Sequence, residues 1–477
     1  MKTKILLGII LFICIVKSFG QLPPPEIQTD VATYLNDYKQ SLLQQNNVAV
    51  AGWMVRVEKV GQWQQTWVNG VSEITNNTPL TGTEKFRIGN ISQTFIAVAI
   101  MKMVQNNQIQ LENSITSWLP TATTSLIPNA ASITIKNLLQ HTSGIAGYNE
   151  PLIVNNEPTA PPINEDWYNS NFLNNYTFDQ IMNTYFTAYQ PIATPSSNIF
   201  NYSETNYLLL GKIIENCTGL TWQQYITQNI ITPLNLTNTS CILDGNTTNP
   251  SNFMSGYILA YDENENPSDI DATIQNNSIF KGSRGMISTL NDLNTFWKSV
   301  RQGIIIPPDL ATILQTCNAF PNGDTTQFGF GLGCTDINQE FNWIGNDGFV
   351  EGYCSAMYYL PNIDAYVSVV NNKFIVGNFP LIAGIEFLIN DYYLSNTDFK
   401  ANLFSIYPNP TSNSITVNAK NTIDKIEIYD VLGRVMKFEN KINALEKTID
   451  VANLSNGNYI IKIEIDGKMS SKKIIKQ

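Results

Sequence analysis

Phe86-Arg87-Ile88-Gly89-Asn90-Ile91-Ser92-Gln93-Thr94-Phe95-Ile96-Ala97-Val98-Ala99-Ile100-Met101 passes from a mixed turn into an almost unbroken apolar run. A helix that is apolar all round has no face to offer water, so residues 91–104 are expected to form a helix inside the core. Asn90 stands just before it and is a good N-cap type. Working outward, residues 27–46 carry apolar side chains at helical spacing, and residues 48–53 and 63–68 alternate like paired strands. Residues 207–215 read as an amphipathic helix, 356–360 and 365–370 as late strands, and 380–393 as a closing helix. Residues 149–200 hold six prolines and read as loop.

The chain has 477 residues, 43% hydrophobic and 11% aromatic, enough to bury a sizeable core and to exclude disorder or fibrous structure. Its net charge of −11 argues against a nucleic-acid partner, because phosphate binding needs clustered Lys and Arg. There is one histidine, His141, which excludes His-rich metal sites and leaves one imidazole base. Neither a metal nor a cofactor is expected.

The charge is unevenly spread. Residues 401–477 carry eleven Lys or Arg against eight Asp or Glu, a net of +3. Residues 21–400 carry fourteen against thirty-one, a net of −17. That shift marks a domain boundary. The tail restarts with a β pattern at 414–417, 425–429, 435–438, 459–465 and 472–476. The expected organisation is an α/β core at 27–395, a linker at 396–401 and a small β-sandwich at 402–477.

Residues 1–20 read as a secretory signal: Lys2 and Lys4, an apolar run over 5–16, then Ser18-Phe19-Gly20. The run is too short for a transmembrane anchor, which needs about 20 apolar residues. Cleavage leaves five cysteines, Cys217, Cys241, Cys317, Cys334 and Cys354. An odd number cannot all pair internally, and their spacing lacks the close pairs of a zinc site.

Further motifs follow the buried helix in order: Leu138-Leu139-Gln140-His141-Thr142-Ser143-Gly144, Phe200-Asn201-Tyr202-Ser203-Glu204, Gly285-Met286-Ile287-Ser288-Thr289, and Gly345-Asn346-Asp347-Gly348 with Glu351-Gly352-Tyr353. On these the core resembles the serine β-lactamase and penicillin-binding-protein family, the branch that includes esterases and D-amino-acid peptidases. The resemblance implies an antiparallel sheet flanked by helices, with a helical subdomain.

It also implies a chemistry. The family places Ser-x-x-Lys at the start of its buried helix, the lysine activating the serine as nucleophile. Tyr-x-Asn then relays protons and holds substrate, and His-x-Gly or Lys-Thr-Gly on an edge strand lines the opposite wall. Here the first motif reads Asn90-Ile91-Ser92-Gln93, the second Tyr202-Ser203-Glu204 and the third Asn346-Asp347-Gly348. Of the chemically active positions only Tyr202 is retained. The sequence therefore predicts a secreted, catalytically degenerate protein whose cleft binds a small molecule, peptide or peptidoglycan-like ligand. The alternatives are a divergent hydrolase acting through Tyr202, Ser92 or another group, and a scaffold without a ligand.

Other serines fare worse. Ser92 lies about 200° around the helix from Asn90 and is expected to face away from the cleft. Ser278-Ile279-Phe280-Lys281 precedes a glycine-rich loop rather than a buried helix, and His141 belongs to a motif that is structural in the family. Glu204 and Asp347 are expected to make the cleft acidic, favouring a neutral or amine-bearing ligand over a carboxylate. Pairing of Glu204 with Arg87 or Arg284, or its protonation by burial, would cancel that effect.

The tail carries Ser405-Ile406-Tyr407-Pro408-Asn409-Pro410, Ile428-Tyr429-Asp430-Val431-Leu432-Gly433-Arg434 and a basic end at Lys472-Lys473. It resembles the type A sorting domain of the type IX secretion system, which carries a passenger across the outer membrane. The implied partner is that machinery, acting through residues 402–477, and the implied destination is the medium or the cell surface.

Overall fold

The computed structural model describes residues 21–46, 50–148, 153–154, 157–158, 173–185, 199–261, 267–317, 326–337, 341–373, 377–395, 404–431, 433–465 and 468–477. The expected signal at 1–20, the expected linker at 396–401 and most of the 149–200 stretch lie outside the described residues.

The core is built on one antiparallel sheet. Its strands are β1 (Gly52–Lys59), β2 (Trp63–Glu73), β3 (Thr78–Pro79), β4 (Thr326–Phe328), β5 (Gly333–Ile337), β6 (Phe341–Val350), β7 (Tyr353–Leu360) and β8 (Ala365–Asn371). Their order across the sheet is β4-β5-β6-β7-β8-β1-β2-β3. The first and last segments of the core thus meet at its centre, where β1 pairs β8. Side-chain alternation sends Trp53, Val55 and Val57 to one face and Met54 to the other. On the first face pack α1 (Pro25–Asn46) and the closing helix α5 (Phe379–Ser395). On the second pack α2 (Ile91–Gln105), α3 (Glu204–Thr218) and α4 (Leu290–Arg301).

The apolar run is the helix its composition demands: twelve of the fifteen residues of α2 are buried. Its entry is fixed by two glycines. Gly89 has φ +53°, and a Cβ there would lie 2.6 Å from the backbone of Phe349. A Cβ on Gly348 would lie 2.0 Å from the Ile88 carbonyl oxygen. Only glycines let the turn before α2 lie this close against β6.

Two expectations need correction. The first strand spans Gly52–Lys59 rather than 48–53. Its first four residues, Gly52–Val55, are all buried, so alternation is a poor guide to where it starts. Segments 414–417 and 425–429 are one strand, Ser414–Tyr429, interrupted by bulges.

The tail forms a separate five-stranded sheet. Ser414–Tyr429 pairs Phe404–Tyr407 along its first half and Gly457–Ile465 along its second, with Val435–Asp450 on its other side. Lys468–Lys476 pairs beyond Gly457–Ile465. Residues from both halves, including Ile415, Val417, Ile426 and Ile461, share one core.

Cys317 and Cys334 form a disulfide, while Cys217, Cys241 and Cys354 are not disulfide-bonded among the described residues. Among the described residues no helix is long and apolar enough to cross a membrane.

Candidate functional site

Two side chains at the start of α2 converge on the hydroxyl of Tyr202. Asn90, at the mouth of α2, donates its Nδ2 to Tyr202 Oη (2.6 Å) and to Glu204 Oε1 (3.0 Å). One turn on, Gln93 donates its Nε2 to the same Tyr202 oxygen (2.7 Å) and to Ser283 Oγ (3.0 Å). From the facing strand β6, Asn346 Nδ2 reaches the Asn90 carbonyl (3.2 Å), Thr94 Oγ1 (3.3 Å) and the Gly331 carbonyl (3.3 Å). The Phe349 amide donates to Asn90 Oδ1 (3.2 Å). Asn90, Gln93, Tyr202, Glu204 and Asn346 are therefore brought together in one hydrogen-bonded network.

Asn90 stands at the N-cap position of α2, but its side chain caps no helix amide. It has helical backbone angles and makes no capping bond, because all of its amide hydrogen bonding goes to Tyr202, Glu204 and Phe349.

The acidic cleft is also corrected. Glu204 is wholly buried at the first turn of α3, and its carboxylate is ion-paired with Arg284. Arg284 also faces Glu351 at 3.9 Å. Burial alone would lower the guanidinium pKa, but the Glu204 and Glu351 carboxylates outweigh it and raise it. The negative charge expected from Glu204 is thus matched by a cation.

Asp347 does not face the cleft. Strand alternation turns it to the opposite side of β6 from Asn346, where it accepts a hydrogen bond from Tyr358 (2.9 Å). Burial pushes its carboxyl up to about 6. Gly348 serves as the close-approach glycine already described. Nor is the third motif on an edge: β6 lies inside the sheet, between β5 and β7.

The other serines fall as expected. Ser92 is buried, and among the described residues its Oγ has no hydrogen-bond partner, outside the Tyr202 network. Lys281 turns away to Asp244, and Ser278 accepts from the Tyr176 amide, so the two do not form a dyad. His141 is buried in a ring of aromatics that includes Tyr202 at 4.4 Å. Its Nδ1 accepts from the Ser203 amide (3.0 Å), placing the ring proton on Nε2. Burial depresses its pKa to about 3, so the ring is neutral. The ring orders the approach to α3 and bonds to no serine hydroxyl among the described residues.

Ser283 and Gly331 were not singled out from the sequence, although the glycine-flanked loop Gly282-Ser283-Arg284-Gly285 was the available signal. Two further cavities, of about 220 and 260 Å³, lie elsewhere and are not lined by Asn90, Gln93 or Tyr202. Among the described residues no group of His, Cys, Asp or Glu is arranged to hold a metal ion.

Residues 40–381 match the family model described as Beta-lactamase. The chain belongs to the beta-lactamase family. A penicillin-binding protein of Bacillus subtilis (strain 168) is 24% identical over 299 residues, 60% of each chain. Protein flp of Staphylococcus aureus is 29% identical over 171 residues, 36% of this chain and 31% of the relative. The chain thus covers less than two thirds of these relatives.

In structure, this beta-lactamase-family chain is similar to a D-amino acid amidase from Ochrobactrum anthropi SV3. The TM-score is 0.62 at 21% identity, over 78% of this chain and 100% of that one. A D-stereospecific amidohydrolase from Streptomyces sp. gives 0.61 at 23% identity, over 73% and 97%. At such identities these likenesses establish the fold. Residues 405–477 match the secretion system C-terminal sorting domain, which implies secretion or cell-surface delivery.

Proposed function

We propose that this beta-lactamase-family protein is an exported ligand-binding pseudoenzyme. The observation that carries the reading is the hydrogen bonding of Asn90 and Gln93. Both present carboxamides, and both donate to the Tyr202 oxygen. A carboxamide has no lone pair of the nucleophilicity that acylation needs, and a neutral glutamine cannot take a proton as an amine does. Tyr202, with two donors on its oxygen, is held as an acceptor in a closed network.

On this reading the core at 27–395 retains the family cleft for recognition, and a ligand enters against Tyr202, Asn90 and Phe349. The D-amino acid amidase and the penicillin-binding protein suggest the first ligands to try: D-amino acid amides and peptidoglycan-type peptides. Residues 1–20 direct export to the periplasm, and residues 402–477 engage the type IX machinery across the outer membrane.

A second reading, a divergent hydrolase, has one observation in its favour: a serine hydroxyl, Ser283 Oγ, touches Gln93 inside the network. Its complete burial counts against attack on a substrate. Fluorophosphonate labelling of the full chain, read by intact mass, separates the two. No added mass is expected, and a stoichiometric adduct would refute the pseudoenzyme.

A further inference from the structure

In the tail, Asp430, Gly433 and Arg434 are tied together by hydrogen bonds that close a turn. The Asp430 amide donates to the Arg434 carbonyl (3.0 Å), and the Gly433 amide to the Asp430 carbonyl (3.0 Å). The Asp430 carboxylate accepts from the Arg434 amide (2.9 Å) and Nε (2.7 Å). Gly433 has φ +77°, a left-handed conformation that favours glycine. These bonds explain why Asp, Gly and Arg stand at these three positions. They leave the Val431 side chain unexplained.

Val431 packs against the core cluster formed by α1, α5 and the sheet. Its carbonyl lies 2.8 Å from the hydroxyl of Tyr34 in α1, which also lies 2.9 Å from the Pro380 carbonyl of α5. One buried hydroxyl proton is thus shared between core and tail. Gly384 makes room for it, since a Cβ there would sit 2.1 Å from the Tyr34 ring. Glycine is a poor helix former in mid-helix, so its presence in α5 has a packing reason.

Alongside, Asn458 of the tail donates to Asp37 of α1 (2.6 Å). Lys462 of the tail interacts electrostatically with Glu386 of α5. Charge favours the same pairing over longer range, because a tail of net +3 meets a core of net −17.

We infer that the sorting domain is latched onto the core, its 430–434 turn seated in a socket between α1 and α5. The occupant of that socket is the chain's own tail, and the export machinery meets core and tail as one body. The latch leaves the strand Val435–Asp450 open, with Val435, Phe438 and Leu445 each more than half exposed. The inference is independent of whether the cleft turns anything over.

The test uses the full chain. Asp37→Cys with Asn458→Cys, oxidised mildly and mapped by peptide mass, is expected to link 37 to 458 within one molecule. The yield should be at least tenfold that of a control pairing Asp37→Cys with Phe438→Cys. Equal yields, or a link that depends on protein concentration, would overturn the latch. Independently, Val431→Asp is expected to speed amide exchange about tenfold in α1 and α5 while leaving α2 protected. Unchanged exchange in α1 and α5 would also overturn it. Loss of protection in α2 would mean the variant had unfolded, and the cross-link alone then decides.

Discussion

Glu204→Gln isolates the ion pair on which the candidate site rests. Glu204 is fully buried, and its Oε1 receives both the Arg284 guanidinium and the Asn90 amide. Removing one partner of a buried pair costs about 3–5 kcal/mol, because the other charge is left behind. Here Glu351, 3.9 Å from Arg284, retains part of the compensation, which places the cost near the low end, about 3 kcal/mol. Removing both charges with Glu204→Gln and Arg284→Met should recover much of the loss, giving a coupling of about 2 kcal/mol.

Urea unfolding at pH 7, followed by tryptophan fluorescence, reports the core alone, since all eight tryptophans lie between residues 53 and 343. The single variant should also lower Tm by roughly 4 °C, since an unfolding entropy of about 2.1 cal/mol/K per residue over a core of this size gives about 1.3 °C per kcal/mol. A loss below about 1 kcal/mol, or strict additivity of the two substitutions, would show that solvent rather than Arg284 compensates Glu204.

Four further outcomes are expected. His141 has a folded pKa near 3, below its ordinary 6.5, so it contributes stability that is fully present above pH 6.5 and lost as pH falls toward 3. The stability advantage of wild type over His141→Gln should shrink across that window in thermal melts, and a constant difference would contradict a neutral buried ring. Gly348→Ala should destabilise the core by more than about 2 kcal/mol in the same urea assay, because its Cβ would lie 2.0 Å from the Ile88 carbonyl oxygen. A neutral result there would mean β6 does not pack so close. The protein should neither hydrolyse a chromogenic cephalosporin nor trap penicillin, and Asn90→Ser with Gln93→Lys should stay poor because Glu204 and Asn346 remain; efficient turnover by the double variant would refute that view. Deleting residues 402–477 should leave a folded core stranded in the periplasm, with faster amide exchange in α1 and α5. Its appearance in the medium would sink the sorting assignment.

How much of this was legible beforehand depends on the range of the interaction concerned. The helix Ile91–Gln105 was readable because an all-apolar run of that length has no other stable place in water. The split between an acidic core and a basic β-rich tail needed only counting. Asn90, Gln93, Tyr202, Glu204 and Asn346 were readable as a set because each sits in a motif whose order along the chain is preserved.

What those residues do to one another was not readable. Arg284 could be listed as a partner for Glu204, but so could Arg87. Only the fold sends Arg87 instead to Asn277 and Asn249. Asp347 was misplaced for a related reason. A motif gives adjacency along the chain, but the pleat of β6 decides which neighbour faces the cleft, and it selects Asn346. Composition and local periodicity therefore determined the buried helix and the contrast between core and tail, since burial of apolar surface acts through each segment's own side chains. The pairing of charges, the close glycine contacts and the seating of Val431 between α1 and α5 were decided by tertiary structure alone. They depend on distances between segments tens to hundreds of residues apart, which no local pattern encodes.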